Sequence, residues 1–147
     1  CGVPVGAFLM TEKVGQHSLT AGDHGTTYGG NPLACAAVAK VLDLFEENNI
    51  LEHVREVSAY LEEKLDSLAA KYDFITDRRG MGLMQGLVFD RPVAPVINAA
   101  LENGLILINA GINIIRFVPP LVITDADVDE MIEILDSCLK TFQEQNA

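Results

Sequence analysis

Tryptophan is absent, and aromatic residues of all kinds make up only 6% of the 147-residue sequence. A surface built to stack nucleobases is therefore not expected. Basic residues are scarce as well: 10 Lys and Arg stand against 21 Asp and Glu, a net charge of −11. Glu12 and Asp23 balance Lys13 and Lys40 in residues 1–40, so the whole acidic excess falls in 41–147. Such a surface repels phosphate backbones and anionic lipid, which argues against nucleic acid and membrane as partners but leaves room for a local basic site holding a small anion.

Cysteine is sparse. Cys1, Cys35 and Cys138 are odd in number and widely spaced, with no CxxC pair. That pattern is no disulfide framework and suggests neither zinc nor redox chemistry. Cys35 among alanines and Cys138 on a helix read as small buried thiols. His17, His24 and His53 are scattered without paired carboxylates, so no metal site is expected, and Ser18, Ser58 and Ser137 lack the strand–turn–helix setting of a nucleophile. No apolar run approaches the ~18–20 residues that cross a bilayer, and nothing reads as a leader peptide. The opening residues Cys1–Met10 carry no initiator Met and read like the interior of a domain. The expectation is a cytoplasmic, reduced protein of which this chain is a C-terminal portion.

What is present points to a folded protein, with 49% hydrophobic and 21% charged residues. Val5 to Met10 is a short apolar run that predicts a fully buried strand. Residues 19–32 hold four Gly and three Thr without a periodic apolar face, and read as a loop rich in backbone donors and hydroxyls. A helix is predicted from Pro32, with Asn31 as its N-cap, to the Asn48-Asn49 pair. A second covers roughly 51–71, with Val54, Val57, Leu61, Leu65 and Leu68 on one stripe.

The period then changes. Phe74 to Thr76 reads as an extended piece, and Gly80 to Phe89 as a strand interrupted by glycines. Pro92 opens a shorter helix that Gly104 stops. Leu105–Ile108 and Ile114–Val118 are predicted strands, paired antiparallel through a turn at Ala110–Asn113. Thr124, with Asp127 three residues on, caps a last helix whose buried stripe is Val128, Met131, Ile132, Leu135, Leu139 and Phe142. From residue 51 this is an α+β domain, helices on a small, mostly antiparallel sheet. Residues 1–31 read as the tail of a different domain, 32–50 as a bridging helix, and 51–147 as the C-terminal domain.

The richest stretch for chemistry is Gly22 to Pro32. Its glycines let backbone approach a ligand, its Thr hydroxyls can bond an oxyanion, and a helix N-terminus follows at once. Phosphate binding and a plain interdomain linker are both open readings of it. It is neither a P-loop nor a dinucleotide turn, because no Lys follows the glycines and the spacing is wrong.

Residues 22–36 resemble the signature segment of the class III, ornithine-type, pyridoxal-phosphate aminotransferases. Gly2 to Ala7 resemble the stretch after that family's Schiff-base lysine, and Arg79 to Gly86 and Ile115 to Leu121 resemble later motifs in the same order. The resemblance spans nearly the whole chain and implies the C-terminal part of the type I fold of pyridoxal-phosphate transferases, an α/β architecture. It implies pyridoxal 5'-phosphate as cofactor, amino-acid and 2-oxo-acid substrates, and a homodimer whose site is shared across the interface. By the same resemblance Thr27 binds the cofactor phosphate in the neighbouring subunit's site, and Thr26 supports the loop and can donate a second hydroxyl. Arg116 matches the arginine that holds a substrate carboxylate, a role suited to a guanidinium fork on an otherwise apolar strand.

None of Lys13, Lys40, Lys64, Lys71 or Lys140 matches the Schiff-base lysine, which the resemblance puts a few residues before Cys1. No catalytic residue is therefore expected within this chain. His24 reads as a structural hydrogen-bonding group in the Gly-rich turn, His17 and His53 as surface residues, and Tyr28 as a wall of the entrance or an interface contact. Arg78 and Arg79 read as partners of acidic surface, and Asn109 as a residue near the cleft. The reading from a different class is a non-enzymatic α+β domain that binds a ligand or dimerises.

Overall fold

A computed structural model describes residues 2–145; Cys1, one of the three thiols, lies outside the described residues, as do Asn146 and Ala147. The chain divides into two compact units, residues 1–49 and residues 50–147.

The first unit holds two helices. α1, Glu12–Ser18, starts where the Thr11 hydroxyl accepts from the Val14 N–H. α2, Pro32–Glu47, starts at Asn31, whose side-chain oxygen accepts from the Ala34 N–H at 3.0 Å, with Pro32 at its first position. α2 ends at Asn48, followed by Asn49 with a positive φ of 49°. Among the described residues up to Asn49, none is buried. The buried strand predicted at Val5–Met10 is absent: the stretch is irregular, with Val5 and Phe8 each 55% exposed. An apolar run says that a segment wants burial, but a strand also needs a neighbour for its N–H and C=O groups. No other strand among the described residues of this unit supplies one. Cys35, predicted buried, is exposed on α2, a helix with no buried residue.

The second unit is an α+β domain. It runs α3 (Ile50–Lys71), β1 (Ile75–Met81), β2 (Met84–Phe89), α4 (Ala94–Glu102), β3 (Ile108–Asn109), β4 (Ile114–Phe117) and α5 (Asp125–Gln145). The four strands form one antiparallel sheet in the order β1-β2-β4-β3. The predicted interrupted strand at Gly80–Phe89 is two strands of a hairpin joined at Gly82-Leu83, with Met81 paired to Met84. Gly82 has a φ of +56°, a conformation glycine adopts without steric cost.

α3 lies on β1 and β2, α4 against β3 and α5, and α3 against α5. Val57, Leu61, Leu65 and Leu68 of α3 meet Val128, Leu135, Leu139 and Phe142 of α5 over Leu87, Phe89, Ile115 and Phe117 of the sheet. Fully burying each such aliphatic side chain is worth about 1.5–3 kcal/mol relative to leaving it exposed. Cys138 joins this core at 4% exposure, while Met131 and Ile132 are only partly buried. At the head of α5 the Thr124 N–H and hydroxyl both donate to the Asp127 carboxylate, at 2.8 and 2.7 Å, so the expected cap is present. No described helix is long and apolar enough to cross a membrane.

Candidate functional site

In the first unit the Gly-rich loop leads directly into α2. Asp23 accepts from the Thr20 backbone N–H at 2.7 Å and from its hydroxyl at 2.8 Å, and those bonds, the backbone one foremost, hold its carboxyl below the usual range. Asn31, besides capping α2, donates to the Tyr28 carbonyl at 2.9 Å, which ties the loop's end to the helix start. A Cβ at Gly29 would fall 2.2 Å from Thr26 Cγ2, so Thr26 keeps its pose only because residue 29 is glycine. Thr26 and Thr27 are exposed, and neither hydroxyl has a hydrogen-bond partner among the described residues. A cavity of about 400 Å³ in this unit is lined by Val3, Pro4, Thr26, Tyr28, Asn31 and Ala34, among others. Among the described residues His24 has no hydrogen-bond partner; it packs edge-on against Phe8, ring centroids 5.1 Å apart.

In the second unit the strand register divides the side chains between two faces. Gln85, Leu87 and Phe89 of β2 and Ile115 and Phe117 of β4 face the helices and are buried. Gly86, Val88, Ile114 and Arg116 face the other way; Gly86 and Val88 are buried there and Ile114 is half-buried. Arg116 is exposed on that face.

The charge bookkeeping around Arg116 is telling. Four of the five arginines hold a carboxylate: Arg55 with Glu52, Arg78 with Asp66 and Glu62, Arg79 with Asp77, and Arg91 with Asp90. Arg116 alone has no ion-pair or side-chain hydrogen-bond partner among the described residues. In a chain with a twofold excess of acids, an arginine left unpaired between apolar neighbours is available to an external carboxylate. It also lines a largely apolar groove with Leu105, Ile108, Phe117, Pro119 and Ile123, whose one acidic lining residue is Asp127.

The other singled-out residues have structural partners. Arg78 and Arg79 pair with acids as read from sequence. Asn109 donates to the Gly111 carbonyl at 2.7 Å and so braces its own turn. His53, read as a surface residue, is half-buried, with Nε2 at 2.9 Å from the Ile123 carbonyl. Among the described residues no cluster of His, Cys, Asp or Glu could hold a metal ion. Sequence reasoning missed that Arg79 shares a face with Arg116. The position of the Gly82-Leu83 turn was the available signal, since it sets which residues of β1 and β2 oppose each other.

Comparison with known proteins follows the same motifs. A family model described as "Aminotransferase class-III" matches residues 1–139. Acetylornithine aminotransferase of Clostridium acetobutylicum is 44% identical over 140 residues, covering 95% of this chain and 36% of that protein. The mitochondrial acetylornithine aminotransferase of Saccharomyces cerevisiae is 41% identical over 140 residues, covering 95% and 33%. Among solved structures, the acetylornithine aminotransferase of Elizabethkingia anophelis matches with a TM-score of 0.73 at 32% identity, over 82% of this chain and 31% of that one. The ornithine aminotransferase of Plasmodium yoelii matches with a TM-score of 0.77 at 31% identity, over 84% and 34%. The chain thus spans roughly a third of the length of the relatives it matches.

Proposed function

The chain belongs to the class-III aminotransferases, and from that premise we propose that the whole protein transfers the terminal amino group of N-acetylornithine to 2-oxoglutarate, a step of arginine biosynthesis, using pyridoxal 5'-phosphate. The name shared by the curated relatives supports this donor. Ornithine, succinylornithine and 4-aminobutyrate are the donors to test against it. The observation that carries the reading is Arg116, exposed on the sheet and the one arginine without an ion pair among the described residues.

The residues present fit the cofactor. Two unpartnered threonine hydroxyls and a capped helix N-terminus suit a phosphate group. Thr27, with Thr26 in support, would hold that phosphate in the neighbouring subunit of a homodimer. When bound, pyridoxal 5'-phosphate supplies the electron sink that the reaction needs. Arg116 holds a substrate carboxylate through paired N–H donors and so orients the nitrogen or carbonyl carbon at the far end.

None of the five lysines here is assigned the cofactor-bearing role, which the reading gives to a part of the protein before Cys1. In the same reading residues 1–31 end a large domain, 32–50 bridge, 51–147 form the small domain, and the protein is cytoplasmic. The exposed apolar side chains at Val5, Phe8 and Leu9 support a covering layer over the first unit in the whole protein. A non-enzymatic ligand-binding domain would draw on the second unit's own core, but leaves the first unit's match to the family without a role.

The test is the full-length protein assayed with N-acetylornithine, ornithine, succinylornithine and 4-aminobutyrate against 2-oxoglutarate. The highest kcat/KM is expected with N-acetylornithine, and Arg116→Gln should raise KM for the carboxylate substrates. Thr27→Ala should weaken retention of pyridoxal phosphate. The 147-residue chain alone should neither transaminate nor give a borohydride-trapped adduct on a specific lysine. No transamination by the full-length protein with any of the four donors would overturn the reading.

A further inference from the structure

One line of register crosses the face of the sheet that bears Arg116, from Arg79 on β1 to Gly86 on β2, Arg116 on β4 and Ile108 on β3. Directly opposed residues of an antiparallel sheet share a face. Both guanidinium groups therefore rise from the same side, their Cα atoms roughly 10 Å apart across two strand spacings of about 4.8 Å. Between them Gly86 contributes no side chain.

The gap forms the floor of an open depression of about 380 Å³, lined by Arg79, Met81, Met84, Ala110, Ile114 and Arg116 among others. Its ends are cationic and its walls are apolar. Met81 and Met84 are 86% and 63% exposed there.

The two cations differ in one respect. Arg116 makes no ion pair among the described residues, although Asp127 lines the same groove, whereas Arg79 Nε donates to Asp77 Oδ2 at 2.8 Å. Only Nε of Arg79 is engaged, so its terminal nitrogens have no partner among the described residues. Asp77 stands two residues along the same strand and on the same face, where it occupies Arg79 much as a ligand carboxylate would.

We propose that Arg79 is a second carboxylate contact that sets specificity for a dicarboxylate, with Arg116 holding one end, Arg79 the other, and Asp77 competing for Arg79 when the site is empty. The methylene chain of such a ligand crosses Gly86 between Met81, Met84 and Ile114. A monocarboxylate engages Arg116 only, and leaves Arg79 with Asp77. The inference rests on the role given to Arg116 above, and names a residue that role does not include.

The experiment uses the full-length, cofactor-loaded protein and two readouts. Calorimetry compares glutarate with butyrate, and kinetics compares 2-oxoglutarate with pyruvate as acceptor. Arg79→Gln is expected to lower the glutarate-to-butyrate affinity ratio about tenfold, the scale of one charge-assisted hydrogen bond. The ratio of kcat/KM for the two acceptors should fall by a similar factor. Arg79→Lys should recover part of it, and Asp77→Asn should tighten glutarate by about threefold while leaving butyrate unchanged.

An unchanged ratio in Arg79→Gln overturns the inference, as does an equal loss for both ligands or weaker glutarate binding in Asp77→Asn. Arg116→Gln separates this from the broader reading. If it weakens both ligands while Arg79→Gln weakens neither, only the role of Arg79 fails. If it weakens neither, the role of Arg116 fails and this inference falls with it. Should no transamination be found, the calorimetric ratio still decides the role of Arg79.

Discussion

Gly86 stands directly opposite Arg116 in the β2–β4 pairing, and the same glycine opposes Arg79 on its other side. A Cβ at residue 86 would meet Ile114 Cγ2 at 3.3 Å, a close contact with the methyl of a half-buried side chain that can yield. Gly80 on β1 is different. Its φ is +143°, and a Cβ there would fall 2.2 Å from the Met84 carbonyl oxygen, which is backbone and cannot move aside. Gly80→Ala should therefore cost about 1–3 kcal/mol or more through strain, while Gly86→Ala stays within about 1 kcal/mol because lost chain entropy in the unfolded state offsets the contact. Urea unfolding of the two variants checks the contrast. Equal losses would contradict it.

Gln85 is 1% exposed, yet its amide is fully engaged. Nε2 donates to the Gly82 carbonyl at 2.7 Å and to Glu62 at 3.0 Å, and Oε1 accepts from Arg78 at 3.0 Å. This ties the hairpin tip to α3. Gln85→Leu removes all three bonds and should cost about 1–3 kcal/mol, because buried groups lose partners without gaining water. Gln85→Glu keeps the acceptor for Arg78 but sets a carboxylate against Glu62 and the Gly82 carbonyl. Its loss should be larger at pH 7 and shrink at pH 5, where one carboxyl takes a proton and donates. Urea midpoints at the two pH values distinguish the outcomes.

The acid side of the stability profile should be set by the α3–α5 ties. Burial raises the Asp136 carboxyl, but hydrogen bonds from Lys71 at 2.6 Å and Tyr72 at 2.8 Å outweigh it and hold it below its ordinary range. Asp129 is lowered by the hydrogen bond from Lys64 and then by that from Tyr60. A carboxyl lowered on folding stabilises the native state above its unfolded pKa and loses that contribution as pH falls through the folded value. Thermal midpoints should be flat above roughly pH 5 and fall below about pH 4, the ordinary carboxylate range. The double variant Asp129→Asn, Asp136→Asn should start lower at pH 7 and fall less steeply in acid. A wild-type profile with no acid limb would refute this.

Much of the second unit was legible because its signals are local. The α3 stripe, the Thr124–Asp127 cap and the β3–β4 turn each follow from spacing over a few residues. α1 was not, since Val14 is the only strongly apolar residue among its seven and no periodic face exists to read. The β1–β2 hairpin was hidden because the three glycines between residues 80 and 86 read as breaks in one strand, whereas the turn falls at Gly82. Val5–Met10 shows the limit from the other side, where composition reports a preference for burial but not the layer that would provide it. For the site, Arg116 could be singled out by its apolar neighbours. Its row with Arg79 needed the register, and the register needed the turn.

The two described thiols should report on different things. Cys35 is exposed on α2, whereas Cys138 lies in the core and its thiol is raised by burial, so little of it is the reactive thiolate at neutral pH. With Cys1 replaced by Ser, a disulfide-exchange reagent should modify Cys35 of the 147-residue chain within its ordinary reaction time and leave Cys138 intact. Cys138 should react only as α5 lifts from α3 and α4, so its rate should rise with urea in step with opening of the helix layer. Asp136→Asn, which removes the charge that Lys71 holds across α3 and α5, should raise that rate in buffer while leaving the rate at Cys35 unchanged. Mass spectrometry of peptides quenched over time reads both sites in one sample. Equal rates at the two cysteines in buffer would mean that α5 is not seated on the core as described.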